Sequence, residues 1–237
     1  VTPRMGKPVE IQALWYNALK IFAELLEIND QMHDAELVNG SAEKAKEAFL
    51  EKFWCAEGII YMDVIDENGN PDPALRPNQL FAASLPFALI DEEQTAAILK
   101  AVEEKLYTPV GLRSLAQDDA RYVSAYCGDS YKRDSCYHQG TVWSWLLGPY
   151  ANAIMYAPQF VGSDGLSGKE KVENIIENLK YHLNEACIGS ISEIFDADAP
   201  HYPRGCVAQA WGVGEILRFI TEYSLEHETL TELTFNS

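Results

Sequence analysis

Between two stretches of helical periodicity lies Gly189-Ser190-Ile191-Ser192-Glu193-Ile194-Phe195-Asp196-Ala197-Asp198-Ala199-Pro200-His201-Tyr202-Pro203-Arg204-Gly205-Cys206. It sets three carboxylates, a histidine, an arginine and two aromatics among prolines and glycines, a mixture that suits a rigid polar pocket better than a core. Glu193 is the candidate for acid–base chemistry. Ile191, Ile194 and Phe195 would desolvate its carboxylate while Arg204 and His201 would steady its charge, the balance a general base needs. The alternative is a solvated acidic loop in which Arg204 pairs with Asp196 or Asp198 at the surface.

Polar and aromatic residues of one kind gather at three other places: Trp15 and Tyr16; Arg76, Asn78 and Gln79; and Tyr137, His138, Gln139, Trp143 and Trp145. His201, Arg204, Gln209 and Trp211 continue the set beyond Glu193. Aromatic platforms beside amides, guanidinium and imidazole are what a sugar needs, since its ring offers an apolar face and an edge of hydroxyls. Taken singly, each tryptophan is more often core than platform, and His138 alone would read as structural. Their shared setting in polar loops is what points to a site.

Helices must position these loops. Apolar residues recurring at three and four predict a helix from Pro8 to about Ile28. Its companion runs from a Ser41 cap to about Trp54, with Asn29 to Gly40 as a short acidic link. Ile59-Ile60-Tyr61-Met62 and the Asn68-Gly69 turn suggest a small hairpin. Further helices are expected over Asn78–Leu89, from an Asp91 cap to Leu106, and over Thr141–Tyr156, Lys169–Ala186 and Val207–Tyr223, with a tail from Glu226 to Ser237 that frays. Long polar connections precede the helices starting near Pro8, Asn78, Thr141 and Val207, and short ones follow them, with a repeat of about sixty to seventy residues. Antiparallel helix pairs laid side by side would put every long loop on one rim and so line a basin.

Composition narrows the partners. The chain has 237 residues, 47% hydrophobic, with a net charge of −18 and a pI near 4.6. A phosphate-binding surface must be positive, so neither nucleic acid nor an anionic membrane is an expected partner, and a neutral substrate fits. No run of about 18 apolar residues and no hydrophobic leader is present, which points to a cytoplasmic protein. Five scattered cysteines favour reduced thiols. Cys127, Cys136 and His138 have no CxxC pair to anchor a zinc site, and neither a metal nor a cofactor is expected. Dense loop-like residues before Pro8 suggest a chain that starts abruptly or is a fragment.

Several segments together closely resemble the C-terminal amylo-α-1,6-glucosidase domain of bacterial and archaeal glycogen debranching enzymes. They are Thr2-Pro3-Arg4-Met5-Gly6-Lys7-Pro8-Val9-Glu10-Ile11-Gln12-Ala13-Leu14-Trp15-Tyr16-Asn17, Arg76-Pro77-Asn78-Gln79, Tyr137-His138-Gln139-Gly140-Thr141-Val142-Trp143, Ser192-Glu193-Ile194-Phe195-Asp196, Pro203-Arg204-Gly205-Cys206 and Ala208-Gln209-Ala210-Trp211. The resemblance covers nearly the whole chain, in order. It implies an all-α fold, an (α/α)6 toroid of helical hairpins, and hydrolysis of a single α-1,6-linked glucose at a branch of glycogen or limit dextrin with inversion at the anomeric carbon. By motif, Glu193 matches the general base, and an opposed carboxylic acid should stand roughly 6.5 to 9.5 Å away.

In that family the acid is an aspartate in a Trp-Met-Asp segment shortly before the Thr-Pro-Arg motif, and this chain begins after it. The expectation is therefore one domain over residues 1–237, about three and a half of six hairpins, carrying the base and sugar pocket but lacking the acid and the N-terminal part of the polypeptide. Glu10, Asp63 and Asp196 are weighed as substitute acids; Glu10 lies at a helix start, where the dipole favours the ionised form. Ser144 stands where the family has proline, which bears on local loop shape. Two other classes compete. One is a non-catalytic carbohydrate-binding helical module; the other is a diphosphate-using α-barrel enzyme suggested by Asp118-Asp119, against which the charge and Tyr122 count.

Overall fold

The computed structural model describes residues 3–55, 60–186 and 188–227. Thr2, Ile59 and Cys187 lie outside this range, as does the expected frayed tail beyond His227.

The first helix, α1 (Val9–Ile28), follows Pro8, whose extended backbone makes it the cap rather than the first helical residue. Its buried stripe comprises Val9, Ala13, Tyr16, Leu19, Ala23 and Leu26, together with Asn17, which holds both the N–H and the carbonyl of Phe87. Residues 29–31 reverse the chain with Asp30 at φ 58°, and α2 (Met32–Phe53) returns along α1. The acidic link expected up to Gly40 is therefore helix. Ser41 caps nothing: its Oγ donates to the Leu37 carbonyl one turn back. Packing of Ala35, Ala42 and Phe49 against the core overrides the weak helix propensity of Gly40 and Ser41.

Two small antiparallel ribbons follow. One pairs β2 (Trp54–Cys55) with β3 (Ile60–Tyr61). The other sets β4 (Val64–Ile65) between β1 (Lys7–Pro8) and β5 (Pro71–Asp72), around a turn in which Asp66 accepts the N–H groups of Asn68 and Asn70. The helix expected over Asn78–Leu89 is shorter: a 3-10 turn (Pro77–Leu80) and α3 (Phe81–Ser84) end at Leu85, forced into an extended conformation before Pro86. After it, α4 (Glu92–Lys105) starts at Asp91, the cap the sequence predicts, and Gln94 completes a capping box with it.

A five-stranded antiparallel sheet is the main departure from an all-α expectation. Its order is β10-β9-β8-β7-β6, with β6 (Tyr107–Thr108), β7 (Gly111–Arg113), β8 (Val142–Trp143), β9 (Ser192–Phe195) and β10 (Pro203–Val207). Strands of two to five residues carry too little alternation to be read from sequence. β8 takes the first residues of the helix expected from Thr141, so that α6 (Leu147–Tyr156) begins only after a 3-10 turn. β10 likewise delays α8 (Ala210–His227), expected from Val207. Ahead of β8 lies α5 (Ser130–Cys136), capped by Asp129, and between α6 and α8 lies α7 (Gly168–His182), which starts at a Ser167/Glu170 capping box and ends four residues before the expected Ala186.

The apolar core joins these layers through Leu99, Leu106, Leu112, Leu147, Tyr150 and Ile194. Among the described residues no helix is long and apolar enough to cross a membrane, and Cys55, Cys127, Cys136 and Cys206 are free thiols.

Candidate functional site

The four polar junctions converge. Arg4, ahead of α1, Arg76, Pro77 and Asn78 of the 3-10 turn, Ser114, His138, Trp143, Trp145 and Leu146 around β8, and Trp211 of α8 line one cavity of about 400 Å³. That volume lies within the range of small-molecule sites. Trp145 stacks on Trp211 (centroids 5.3 Å apart), Trp143 meets Trp211 edge-on, and His138 lies parallel to Trp143 at 5.3 Å. Trp211 is 48% exposed.

The polar wall is a locked ionic network. Arg4 donates twice to Glu10 (2.6 and 2.7 Å) and twice to Asp63 (2.7 and 2.9 Å). Asp63, 1% exposed at its side chain, also accepts from Asn78 (3.0 Å) and sits 3.4 Å from Arg76 Nε. Arg76 in turn donates to the Ser114 and His138 carbonyls and to Gln139 Oε1. Burial works against the Arg4 charge, but its hydrogen bonds to Glu10 and Asp63 outweigh it and hold the guanidinium above its usual value. For Arg76, burial prevails over the pull of Asp63 and lowers it. The edge of His138 reaches solvent, yet desolvation of its ring, helped by the charges of Arg76 and Arg4, lowers its pKa, so it is neutral at pH 7. The wall therefore offers a sugar guanidinium, amide and imidazole groups with no surplus negative charge.

Glu193 does not line this cavity. It lies in β9, 5% exposed, and is joined to the wall through Tyr137, whose ring packs edge-on to Trp143 at 4.6 Å. Its Oε1 accepts from the Tyr137 hydroxyl and from Gln209 Nε2 (2.9 Å), and its Oε2 accepts from the Cys206 N–H (2.8 Å). Burial, and then Glu193 itself, pushes the Tyr137 phenol well above its ordinary value, so it stays protonated and donates. The β9 backbone is anchored on two sides. Ser144 Oγ donates to the Ser192 carbonyl (2.9 Å), a bond the proline usual at that position could not make, and His182 Nε2 accepts the Ser192 N–H (3.1 Å).

Gly205 faces Glu193 across the β9–β10 pair with φ +70°. A Cβ there would stand 2.4 Å from Glu193 Oε2 and 2.8 Å from Ile194 Cγ1. Gly205→Ala is therefore expected to push the carboxylate off its donors. A crystal structure of the variant should show Oε2 moved and the bond from the Cys206 N–H broken; an unmoved carboxylate would refute this.

The structure sorts the expected residues into three groups. Arg76, Asn78, His138, Trp143 and Trp211 stand on the cavity, and Tyr137 and Gln209 hold Glu193. Gln79 and Gln139 are scaffold: Gln79 accepts the Tyr61 N–H and donates to the Arg76 carbonyl, while Gln139 holds Arg76. The expectation that Arg204 and His201 steady Glu193 is not met. Arg204 pairs with Asp196 (2.8 Å), and His201 Nδ1 lies 3.0 Å from the Asp196 carbonyl oxygen, both serving the hairpin between β9 and β10. Trp15, 58% exposed, is on the outer face of α1 and Tyr16 is in the core.

Arg4, Ser114 and Leu146 were not singled out by the sequence, although Arg4 lies in a quoted motif. Among the described residues, none that lines the cavity is a carboxylate. Glu10, Asp63 and Asp196 all accept from guanidinium groups, leaving them poorly placed to give a proton to a sugar oxygen. Among the described residues no group of three or more His, Cys, Asp or Glu is placed to hold a metal ion.

A family model described as amylo-alpha-1,6-glucosidase matches residues 1–218. A curated glycogen debranching enzyme of Saccharomyces cerevisiae is 27% identical over 187 residues, covering 65% of this chain and 12% of the relative. Among solved structures, a sialidase superposes at TM-score 0.69 with 12% identity, over 89% of this chain and 19% of that one. The neutral trehalase Nth1 of Saccharomyces cerevisiae does so at 0.62 and 12%, over 90% and 37%, and an uncharacterized conserved protein of Thermus thermophilus at 0.63 and 14%, over 90% and 46%. The chain thus spans less than half the length of each of these proteins, and at such identities the superpositions speak to fold alone.

Proposed function

The chain belongs to the amylo-alpha-1,6-glucosidase family, and from that premise we propose that it is part of a glycoside hydrolase that removes single α-1,6-linked glucose units from branches of glycogen or limit dextrin, with inversion. Glu193 is the general base. The acid comes from a preceding segment of the same polypeptide, and residues 1–237 form one domain, part of an (α/α)6 toroid, in a cytoplasmic enzyme with neither metal nor cofactor.

The observation that carries this reading is the carboxylate of Glu193, gripped by three donors and coupled through Tyr137 to a cavity walled by three tryptophans, a neutral imidazole, guanidinium and amide. Arg76, Asn78, His138, Trp143 and Trp211 bind the sugar, its ring against the indoles and its hydroxyls toward the polar wall. The incomplete ring is supported by the apolar face that α1 leaves open, with Ile11, Leu14, Trp15, Phe22 and Leu25 all at least 45% exposed, and by Leu217 on α8. The absent acid is supported by the occupied state of Glu10, Asp63 and Asp196.

The test compares the full-length polypeptide with residues 1–237 on an α-1,6-glucosyl dextrin, following the released glucose by NMR. The full-length enzyme is expected to release β-glucose first and the shorter chain none. Turnover by residues 1–237 would defeat the missing-acid reading, and α-glucose would defeat inversion. One observation favours a binding module instead: Glu193 is not itself a wall of the cavity. Such a module would keep its glucan affinity and have no need of that carboxylate.

A further inference from the structure

A carboxylate has about four lone-pair sites, two on each oxygen. At Glu193 the two oxygens are used unequally. Oε1 receives both the Tyr137 hydroxyl and Gln209 Nε2, and is filled. Among the described residues Oε2 receives only the Cys206 N–H, and a side chain at residue 205 would crowd it, a Cβ there standing 2.4 Å away. Gly205 is itself exposed on β10, while Glu193 is 5% exposed.

We propose that Tyr137 is a positioning residue: with Gln209 it closes Oε1 and so leaves Oε2 as the oxygen that takes the proton of the attacking water. The inference rests on the reading of Glu193 as general base, and it moves Tyr137 from sugar binding to control of the base. In the step, a water O–H bond breaks and its proton passes to Oε2, while the water oxygen forms a bond to the anomeric carbon. The glycosidic C–O bond breaks, and its electron pair stays on the leaving oxygen, which is protonated by the carboxylic acid supplied by the rest of the polypeptide. The phenol keeps its own proton throughout and shifts neither charge nor mass.

The test uses the full-length enzyme. Tyr137→Phe removes only the hydroxyl and keeps the ring that packs on Trp143 and His138. Its kcat is expected to fall about 10- to 100-fold, the range for losing a hydrogen bond to a charged group. KM should change less than about twofold, because the sugar contacts remain, in keeping with an interaction outside ground-state binding. The acid limb of the kcat–pH profile should move to higher pH, since the charged base has lost a donor. Gln209→Met, which leaves Tyr137 untouched, should shift the same limb in the same direction. A Tyr137→Phe enzyme with unchanged kcat and pH profile, alongside an inactive Glu193→Gln enzyme, overturns the positioning role alone. A raised KM with unchanged kcat returns Tyr137 to sugar binding and also overturns it. An active Glu193→Gln enzyme removes the base itself.

Discussion

Glu193→Gln in the full-length polypeptide is expected to lower kcat by about 10³-fold, within the range that a positioned general base contributes. The change is isosteric and removes the one property the reaction needs, an oxygen able to take a proton from water. KM should stay within a fewfold, because Arg76, Asn78, His138, Trp143 and Trp211 form the cavity without Glu193. The pocket around residue 193 will notice the substitution. Three donors converge on the carboxylate, so one end of an amide must bring N–H groups against a donor, from Cys206 on one side or from Tyr137 and Gln209 on the other. A melting temperature recorded beside the kinetics separates that local cost from lost chemistry. Turnover above a tenth of wild type would remove Glu193 from the mechanism, and undiminished turnover would favour a binding module.

The second large effect lies far from the cavity. Lys171 of α7 is 5% exposed at its side chain and bonds Glu103 of α4, which is 4% exposed, and Asp164 in the loop between α6 and α7. Glu103 also accepts the Ser163 N–H at 2.7 Å. Lys171→Met leaves Glu103 buried without its cation, and breaking such a pair costs about 3 to 5 kcal/mol. For a chain of this size that lowers Tm by about 6 to 20 °C. Replacing both partners, Glu103→Leu with Lys171→Met, should recover most of the loss but not all, because the Ser163 N–H then lacks an acceptor. A single variant melting within about 2 °C of wild type would contradict this account.

The pH dependence follows from the same group. Burial works against the ammonium, but its hydrogen bonds to Asp164 and Glu103 more than offset this and raise its pKa. The contribution of Lys171 is therefore present in full below about pH 10, where the unfolded chain's lysine is still charged. It is lost as pH rises through the higher folded-state value, so destabilisation belongs on the alkaline side.

Much of the helical frame was legible in the residues. The threes and fours of α1 survive folding almost unchanged, and Asp91 caps α4 where its type and place suggest. Capping is local: donor and acceptor lie three residues apart and find each other whatever the rest of the chain does. The same locality misled at Gly40 and Ser41, where two weak helix formers suggested a boundary and the packing of α2 on α1 carried the helix through. The strands were illegible because two residues have no period, and a pair such as Val142 and Phe195 exists only once the sheet brings them into register.

The site divides along the same line. Composition and motif alone determined the kinds of group present, a carboxylate at 193 with indoles, amides and guanidinium at four junctions, and these residue types restrict the chemistry before any fold is known. Tertiary structure decided their employment. It sent Arg204 to Asp196, brought Tyr137 to Glu193 across 56 positions, and placed Arg4 on the cavity wall through Asp63, 59 positions away. The reason is that a hydrogen bond is directional and short, so which of several eligible donors reaches a carboxylate is fixed by where the backbone carries it, and that depends on contacts distant in the chain.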